Sequence, residues 1–318
     1  MAFIVTPGTR EANNGNWRTA RRWAEFLAGV AKPIVQSEWN GEPADVVIAL
    51  HARRSAASIT RLRERAPRVP IILVLSGTDL YRDLPHSAEA ARSLALADRI
   101  VALQDDALAH VPGEHRGKCD VIYQSATRLT RARKPRSRLD CVVVGHLREE
   151  KDPRTLWKAM SLIDPRLPIR IRHIGGALDP TLGKEARAAV ARDPRYRWTG
   201  ALPHGLTRCA IRKAHLLVHP SLMEGGANVI VEAATAGTPV IASRVSGNVG
   251  MLGRDYPGYF EVGDAAGLAA LLVACLEDGN WLPRLRGLCD ERARLFTPAR
   301  ERQAVRRVVA GVMKGGQG

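Results

Sequence analysis

The chain has 318 residues, enough for two α/β domains of ordinary size and too many for one typical core. Its 45% apolar and 25% charged residues are those of a globular protein, and the lack of any apolar run of about eighteen or more argues against stable membrane insertion. The formal net charge of +16 asks for anionic partners, but the basic residues are spread along the chain and only 5% of residues are aromatic, so a basic cleft for an anionic substrate is favoured over nucleic-acid binding.

The first residues, Met1-Ala-Phe-Ile-Val-Thr, run straight into a predicted strand at 2–6. They lack the basic region and cleavage site of a signal peptide, so the expected location is the cytoplasm. A polar, flexible loop follows, with Asn13, Asn14, Gly15 and Asn16, and then a helix over 17–29 with Trp17, Ala20, Trp23, Ala24 and Leu27 at helical spacing. Strands are predicted at 45–50, 70–75, 99–103 and 119–123, with a helix at 55–65. This rhythm of strand and helix implies a mainly parallel sheet covered on both faces. His51 ends one strand, and Ser76-Gly77-Thr78-Asp79-Leu80-Tyr81 follows the next. Ligands bind at the carboxyl ends of such strands, which makes Asn14, Gly15, Asn16, His51, Thr78, Asp79 and Tyr81 candidate binding residues.

Residues 128–138, RLTRARKPRSR, have no apolar periodicity. They read as an exposed basic linker rather than as a basic segment bound to phosphates. The rhythm then restarts: strands at 140–144, 169–174, 197–200, 216–219 and 239–243, helices at 153–163, 181–192, 228–236 and 267–277, and further helix from 284 with a break at Pro298. We therefore expect two Rossmann-like domains, 1–135 and 136–318, with the last helix packing back on the first domain. The five cysteines, Cys119, Cys141, Cys209, Cys275 and Cys289, are scattered and odd in number, and no CxxC pair occurs. They read as small buried apolar residues, not as a zinc site or disulfide framework.

The most informative stretch is 219–237, HPSLMEGGANVIVEAATAG. A strand ends at His219, a turn carries Gly225 and Gly226, and a helix starts near Asn228. The first amides of a helix have no internal partner, the helix dipole adds positive character there, and glycines let a phosphate approach the backbone. Glu224 precedes the helix and Glu232 lies within it, so a diphosphate at Gly225, Gly226, Ala227 and Asn228 would have a carboxylate on each side for the hydroxyls of a sugar and a ribose. Glu232 also interrupts an apolar helix, and a buried carboxylate needs a partner. A structural arginine partner is the competing explanation.

This segment resembles the E-x7-E signature of retaining glycosyltransferases of family 4 and their relatives, which have the GT-B fold. Pro220-Ser221, Glu224-Gly225, Glu232-Ala233, Ala236-Gly237 and Pro239-Val240 stand in register with it, while Gly226 displaces the usual later glycine. A second match is VGHLREEKD at 144–152: Lys151 falls on the family lysine, His146 replaces the family arginine, and Arg148 offers the missing charge two residues on. The resemblance implies an α/β protein of GT-B fold, two doubly wound Rossmann-like domains with a central cleft, the first holding the acceptor and the second a UDP-sugar donor. It implies that Glu224 contacts the donor sugar, that Glu232 binds ribose hydroxyls, and that Lys151 and Arg148 neutralise the leaving diphosphate. His146 and Gly175, which follow the 140–144 and 169–174 strands, join the donor side. No metal or cofactor is expected, since no DxD-like motif stands near a strand end.

Over nearly the full length, NNGNW, LHARRSA, SGTDLYRDL, VGHLREEKDP and HPSLMEGGANVIVEA resemble the selenosugar synthase subgroup of selenoneine biosynthesis. That resemblance implies attack of selenophosphate on a UDP-sugar, UDP-N-acetylglucosamine in the first instance, giving a 1-seleno-sugar with release of UDP and phosphate. A sugar-to-sugar or sugar-to-lipid transferase of the same fold is the alternative, and a basic nucleic-acid-binding protein a weaker one. Arg10, Arg18, Arg53 and Arg54, with Arg148 and Lys151, are the cations available to a small anionic acceptor.

Overall fold

Runs such as VVIAL and IILV offer no polar residue to turn outward, so they are stable only in strands covered on both faces. In the first half they form β1 (Ala2–Val5), β3 (Val46–Leu50) and β4 (Ile71–Val74), every residue of which is buried. With β2 (Pro33–Gln36), β5 (Arg99–Ala102) and β6 (Cys119–Val121) they make a six-stranded sheet of order β2-β1-β3-β4-β5-β6 whose pairs are all parallel. The protein is described here by a computed structural model over residues 1–8 and 15–315. It divides into two compact units, Met1–Ser125 with the segment from Thr297 onward, and Ala126–Phe296.

In the first unit alternate residues go to opposite faces. Phe3, Val5, Val47 and Leu73 meet Ile59 and Leu62 of α2 (Ala56–Arg65) and Leu94 of α3 (Ala88–Leu96), whereas Ile4, Ile48 and Ile72 meet Trp23 and Leu27 of α1 (Gly15–Leu27). The strand order reverses between β1 and β3, so the chain leaves the sheet in opposite directions there and opens a crevice at the carboxyl ends.

The second unit has six parallel strands, β7 (Leu139–Val144), β8 (Ile169–Ile174), β9 (Tyr196–Trp198), β10 (Leu216–His219), β11 (Val240–Ser243) and β12 (Tyr259–Phe260), in the order β12-β11-β10-β7-β8-β9. Read from β9 this is the dinucleotide-binding order, and its reversal lies between β7 and β10. Helices α4 (Pro153–Leu162), α5 (Pro180–Arg192), α6 (His204–Lys213), α7 (Asn228–Thr235), α8 (Ser246–Leu252), α9 (Ala265–Glu277) and α10 (Trp281–Ala293) connect and cover the strands. Asp152, Asp179 and Asp264 cap α4, α5 and α9 through side-chain acceptors.

Sequence periodicity overlooks β2, α3, α6, α8 and β12. β2 is a half-buried edge strand that begins with proline, and α8 carries Gly247 and Gly250, which weaken any helical signal. Cys141, Cys275 and Cys289 are buried as expected of apolar residues, but Cys119 and Cys209 are only half-buried. Among the described residues no single helix is long and apolar enough to cross a membrane.

The division between the units falls after Ser125, ahead of the boundary expected at 135/136. The segment expected as an exposed linker is mostly exposed, and it is also strapped to the second unit. Leu129 N donates to Thr235 O (3.1 Å), Arg208 Nη2 to Thr127 O, and His215 Nε2 to Pro135 O (2.8 Å), while Arg131 pairs with Asp290. Its backbone carbonyls and amides find partners there that no linear pattern displays.

The last helix, α11 (Pro298–Gly315), belongs to the first unit, where Val305, Val308, Val309 and Val312 join the cluster around Trp23. Glu301, buried on α11, accepts from Arg22 Nε (2.8 Å) and Nη2 (3.0 Å) and from Trp23 Nε1 (2.8 Å). Removing one partner of such a buried network strands the others. Glu301→Ala is expected to lower the unfolding free energy by about 2–4 kcal/mol in urea titrations, and a loss near zero would remove this network from the account of how α11 is held.

Candidate functional site

Two loops leave the second sheet on either side of its strand reversal, one after β7 and one after β10. The first runs Gly145-His146-Leu147-Arg148 into a short turn, Glu149–Lys151, and ends at Asp152, which takes a left-handed conformation (φ 40°) and accepts from Thr155 N (3.2 Å) as the cap of α4. The second runs Pro220-Ser221-Leu222-Met223-Glu224-Gly225-Gly226-Ala227 into α7. Leu222 N donates to Glu150 O (2.9 Å), which ties the loops together.

The tie brings three chemically active side chains to one point. Lys151 Nζ donates to Glu224 Oε1, and His219 Nε2, at the end of β10, lies 2.9 Å from the same oxygen. Burial alone would raise the Glu224 pKa, but the Lys151 ammonium and His219 outweigh it and hold the carboxyl well below the usual carboxylate range. Burial pushes the His219 pKa down against the opposing pull of Glu224. The site therefore sets a carboxylate between a lysine and a histidine.

Glycines make the close approach possible. A Cβ on Gly175, which follows β8, would fall 1.8 Å from Gly145 O, and one on Gly247, in the first turn of α8, would fall 1.8 Å from Glu224 O. His173 Nε2 donates to Gly145 O (3.0 Å), and Gly176 N donates to His146 Nδ1 (3.0 Å), so the β7 and β8 loops are zipped side by side. Gly175 is thus a packing position beneath the β7 loop.

α7 begins at Asn228 behind Ala227, which offers no side-chain acceptor, and its first turn carries no acidic residue. Its leading amides are left open to an anion, and the dipole adds to their pull. Farther along, Glu232 is buried and accepts from His204 Nε2 (2.7 Å). Arg208 Nη1 bonds the Glu232 carbonyl oxygen (3.1 Å). Arg148, expected beside Lys151, is exposed and has its Nε 3.9 Å from Glu150 Oε2. The structure brings Lys151 to Glu224 and leaves Arg148 on the surface of the turn.

The first unit carries its own cluster at its strand reversal. His51 is buried in a left-handed conformation (φ 78°), unusual for a residue with a side chain, with Nε2 3.1 Å from Thr78 Oγ1 and Nδ1 accepting from Arg54 N (3.4 Å). Burial first, then the Arg54 charge, pushes its pKa down to about 4. Asp83 Oδ2 sits 3.7 Å from His51 Nε2 and 2.9 Å from Arg53 Nε. Asp79, expected to face a ligand, is fully buried, its carboxylate accepting from Ala52 N (2.8 Å) and Ser76 N (2.6 Å). It braces two loops, and burial pushes its pKa up to about 7 against those bonds. Tyr81 accepts from Gln104 Nε2 (3.1 Å) and packs edge-on against His110. Gly15 and Asn16, expected in a loop, are the first residues of α1; Asn14, with Arg10 and Asn13, lies outside the described residues.

Sequence reasoning missed His219, His204, His173 and Gly247. Only His219 carried a hint, as the polar last residue of an apolar strand; the others acquire partners only through packing.

Residues 138–278 match the family model described as Glycosyl transferases group 1. The match covers that stretch alone, less than half of the chain, and marks it as similar to this family. It contains β7 to α9, with both loops of the Lys151–Glu224 cluster. The D-inositol 3-phosphate glycosyltransferase of Corynebacterium efficiens is 30% identical to the chain over 155 residues, 46% of this chain and 34% of that protein. The match thus spans about a third of the length of the curated relatives. Sucrose-phosphate synthase from Thermosynechococcus elongatus shares the fold at a TM-score of 0.81 and 17% identity over 99% of both chains. Anabaena HepE in complex with UDP does so at 0.77 and 15%, over 98% of this chain and 99% of that one. The two parallel six-stranded sheets with their helices are those of the GT-B fold.

The Lys151–Glu224 pair can be dissected by a mutant cycle. Glu224→Gln is expected to cost about 2–4 kcal/mol of stability because it leaves a desolvated ammonium, and adding Lys151→Met should recover most of that. No recovery in the double variant would mean the two groups are not coupled. The buried histidines set a pH dependence. His173, pushed down to about 4 by burial, and His51 both take up a proton more readily unfolded, near 6.5, than folded. Their stabilisation is complete above about 6.5 and is lost as pH falls toward 4, at up to roughly 1.4 kcal/mol per unit for each group. Asp79, raised to about 7, acts in the opposite sense over the same range, so the test is a comparison: the change in urea midpoint from pH 7 to pH 5 should become less destabilising in His173→Gln than in the parent, and an equal change would contradict this.

Proposed function

We propose that the chain is a glycosyltransferase that takes its sugar from a UDP-sugar. The observation that carries the reading is the meeting of Lys151, Glu224 and His219 at the strand reversal of the second unit, beside the uncapped start of α7. In this reading the diphosphate lies on the amides of Gly226, Ala227 and Asn228, with Lys151 offsetting the charge that grows on the leaving UDP. Glu224 faces the donor sugar and Glu232 the ribose hydroxyls, with His146 and Gly175 shaping the wall between. Arg148 is an auxiliary cation that must swing toward the phosphates to act. Lys151 and the helix dipole supply positive charge from the protein itself, so transfer is expected to survive EDTA.

The acceptor in this proposal is selenophosphate, and the donor UDP-N-acetylglucosamine. The motifs that support it are NNGNW, LHARRSA and SGTDLYRDL in the first unit, which carry His51 and Thr78 and the arginines Arg53 and Arg54. Selenium attacks the anomeric carbon, the bond to UDP breaks, and water then cleaves the selenium–phosphorus bond to give the 1-seleno-sugar and phosphate. An ionised selenium nucleophile needs no strong base, and electrostatics with positioning carry the barrier. The curated relatives' printed name favours a second reading, an alcohol acceptor bearing a phosphate.

Phosphorus NMR on the protein with selenophosphate and UDP-N-acetylglucosamine tests both. Release of UDP and phosphate together is expected; UDP release only when inositol phosphate replaces selenophosphate would establish the alternative. Glu224→Gln is expected to lower kcat by about 100-fold or more, and Glu232→Ala to raise KM for the donor by about tenfold, with circular dichroism unchanged. Wild-type turnover in Glu224→Gln would remove Glu224 from the mechanism.

A further inference from the structure

The basic segment before β7 has no role in the reaction proposed above, yet it is hydrogen-bonded to the body of the second unit. It lines an open-sided cavity of about 440 Å³ at the opposite end of the second sheet from Glu224. The wall includes Leu139, where β7 begins, and His215, just before β10, whereas the Lys151–Glu224 cluster follows the other ends of these strands. The two places are separated by roughly 15–20 Å along the strands.

Five basic side chains line this cavity, Arg131, Lys134, Arg136, Arg138 and Arg286, against one acidic side chain, Asp278. Arg131 is paired with Asp290 and Arg138 with Asp140. Lys134 Nζ and Arg286 Nε are different: both atoms are buried and have no hydrogen-bond partner among the described residues. Gly237 leaves room for this arrangement, since a Cβ there would fall 2.7 Å from Arg131 Nε. A desolvated ammonium beside two guanidinium groups is costly, and burial, Arg286 and Arg131 together push the Lys134 pKa down to about 8. A fold tolerates such a cluster when something supplies the missing negative charge.

We infer that this cavity is a second anion site, built to hold a phosphate group carrying two or more negative charges between Lys134 and Arg286. Guanidinium and ammonium donors are the groups that bind phosphate oxygens best. The site is independent of the donor reading, because none of its residues belongs to that cluster. The phosphate is either free or carried on a lipid headgroup, and one experiment separates the two.

Inorganic pyrophosphate is titrated into the full chain carrying Glu224→Gln and Lys151→Met, which silences the strand-end cluster, and thermal unfolding is recorded. A Tm rise of about 5 °C at saturation is expected. Lys134→Met in that background should start at a higher Tm, because it removes an unpaired buried charge, and should bind pyrophosphate at least about tenfold more weakly. Arg286→Gln should also weaken binding about tenfold, while Arg187→Gln, the same charge change on exposed α5, should leave it unchanged. The same proteins are then sedimented with phosphatidylcholine vesicles doped with phosphatidic acid. Sedimentation that depends on Lys134 and is displaced by pyrophosphate assigns the headgroup source, and pyrophosphate binding without sedimentation assigns the free one. If neither probe binds, or both bind Lys134→Met as well as the parent, the inference is wrong.

Discussion

The second unit is organised around a largely covered carboxylate that cannot stand alone. Glu224 is taken out of water at the point where the chain leaves the sheet in two directions, and its charge is tolerable only because Lys151 and His219 reach it. That requirement fixes the height of the β7 loop, which must deliver Lys151, and the path of the β10 loop, which must turn Glu224 back toward its own strand. Gly145, Gly175 and Gly247 are the points where backbone meets backbone for this to happen, and His173 and His146 hold the edges. What results is a group of charges tied to one another by hydrogen bonds, the arrangement that electrostatic stabilisation uses.

Much of this was legible in the chain itself. Parallel strands buried on both faces leave continuous apolar runs, so β1, β3, β4, β7 and β10 announce themselves, and the paired acids about a glycine turn mark the start of α7. The pairing of Lys151 with Glu224 was implied only loosely, as two neighbours of one ligand; their direct contact depends on the Leu222–Glu150 backbone bond, which leaves no trace in sequence. Asp79 shows the opposite failure. Its place after a strand suggested a ligand, but its oxygens are taken by two backbone amides. The 128–138 segment faces solvent for most of its length, as its charge density suggested, but its backbone is also held by Thr235 and His215, which composition does not show.

The two clusters differ in how their charges are balanced. At Glu224 opposite charges meet and burial is offset. At Lys134 like charges are held together by backbone bonds of the segment that carries them, so the local electrostatics are unfavourable in the isolated chain.

The membership of α11 in the first unit has a bearing on how the polypeptide is made. The valines that seal the sheet beneath Trp23, and the Glu301 that bonds it, leave the ribosome only after all of 126–296 has been synthesised. During that interval the nascent first unit shows an open apolar face, while the second unit, continuous in sequence, has everything it needs to close. Vectorial synthesis thus lets the later unit close on its own residues before the earlier one has received α11.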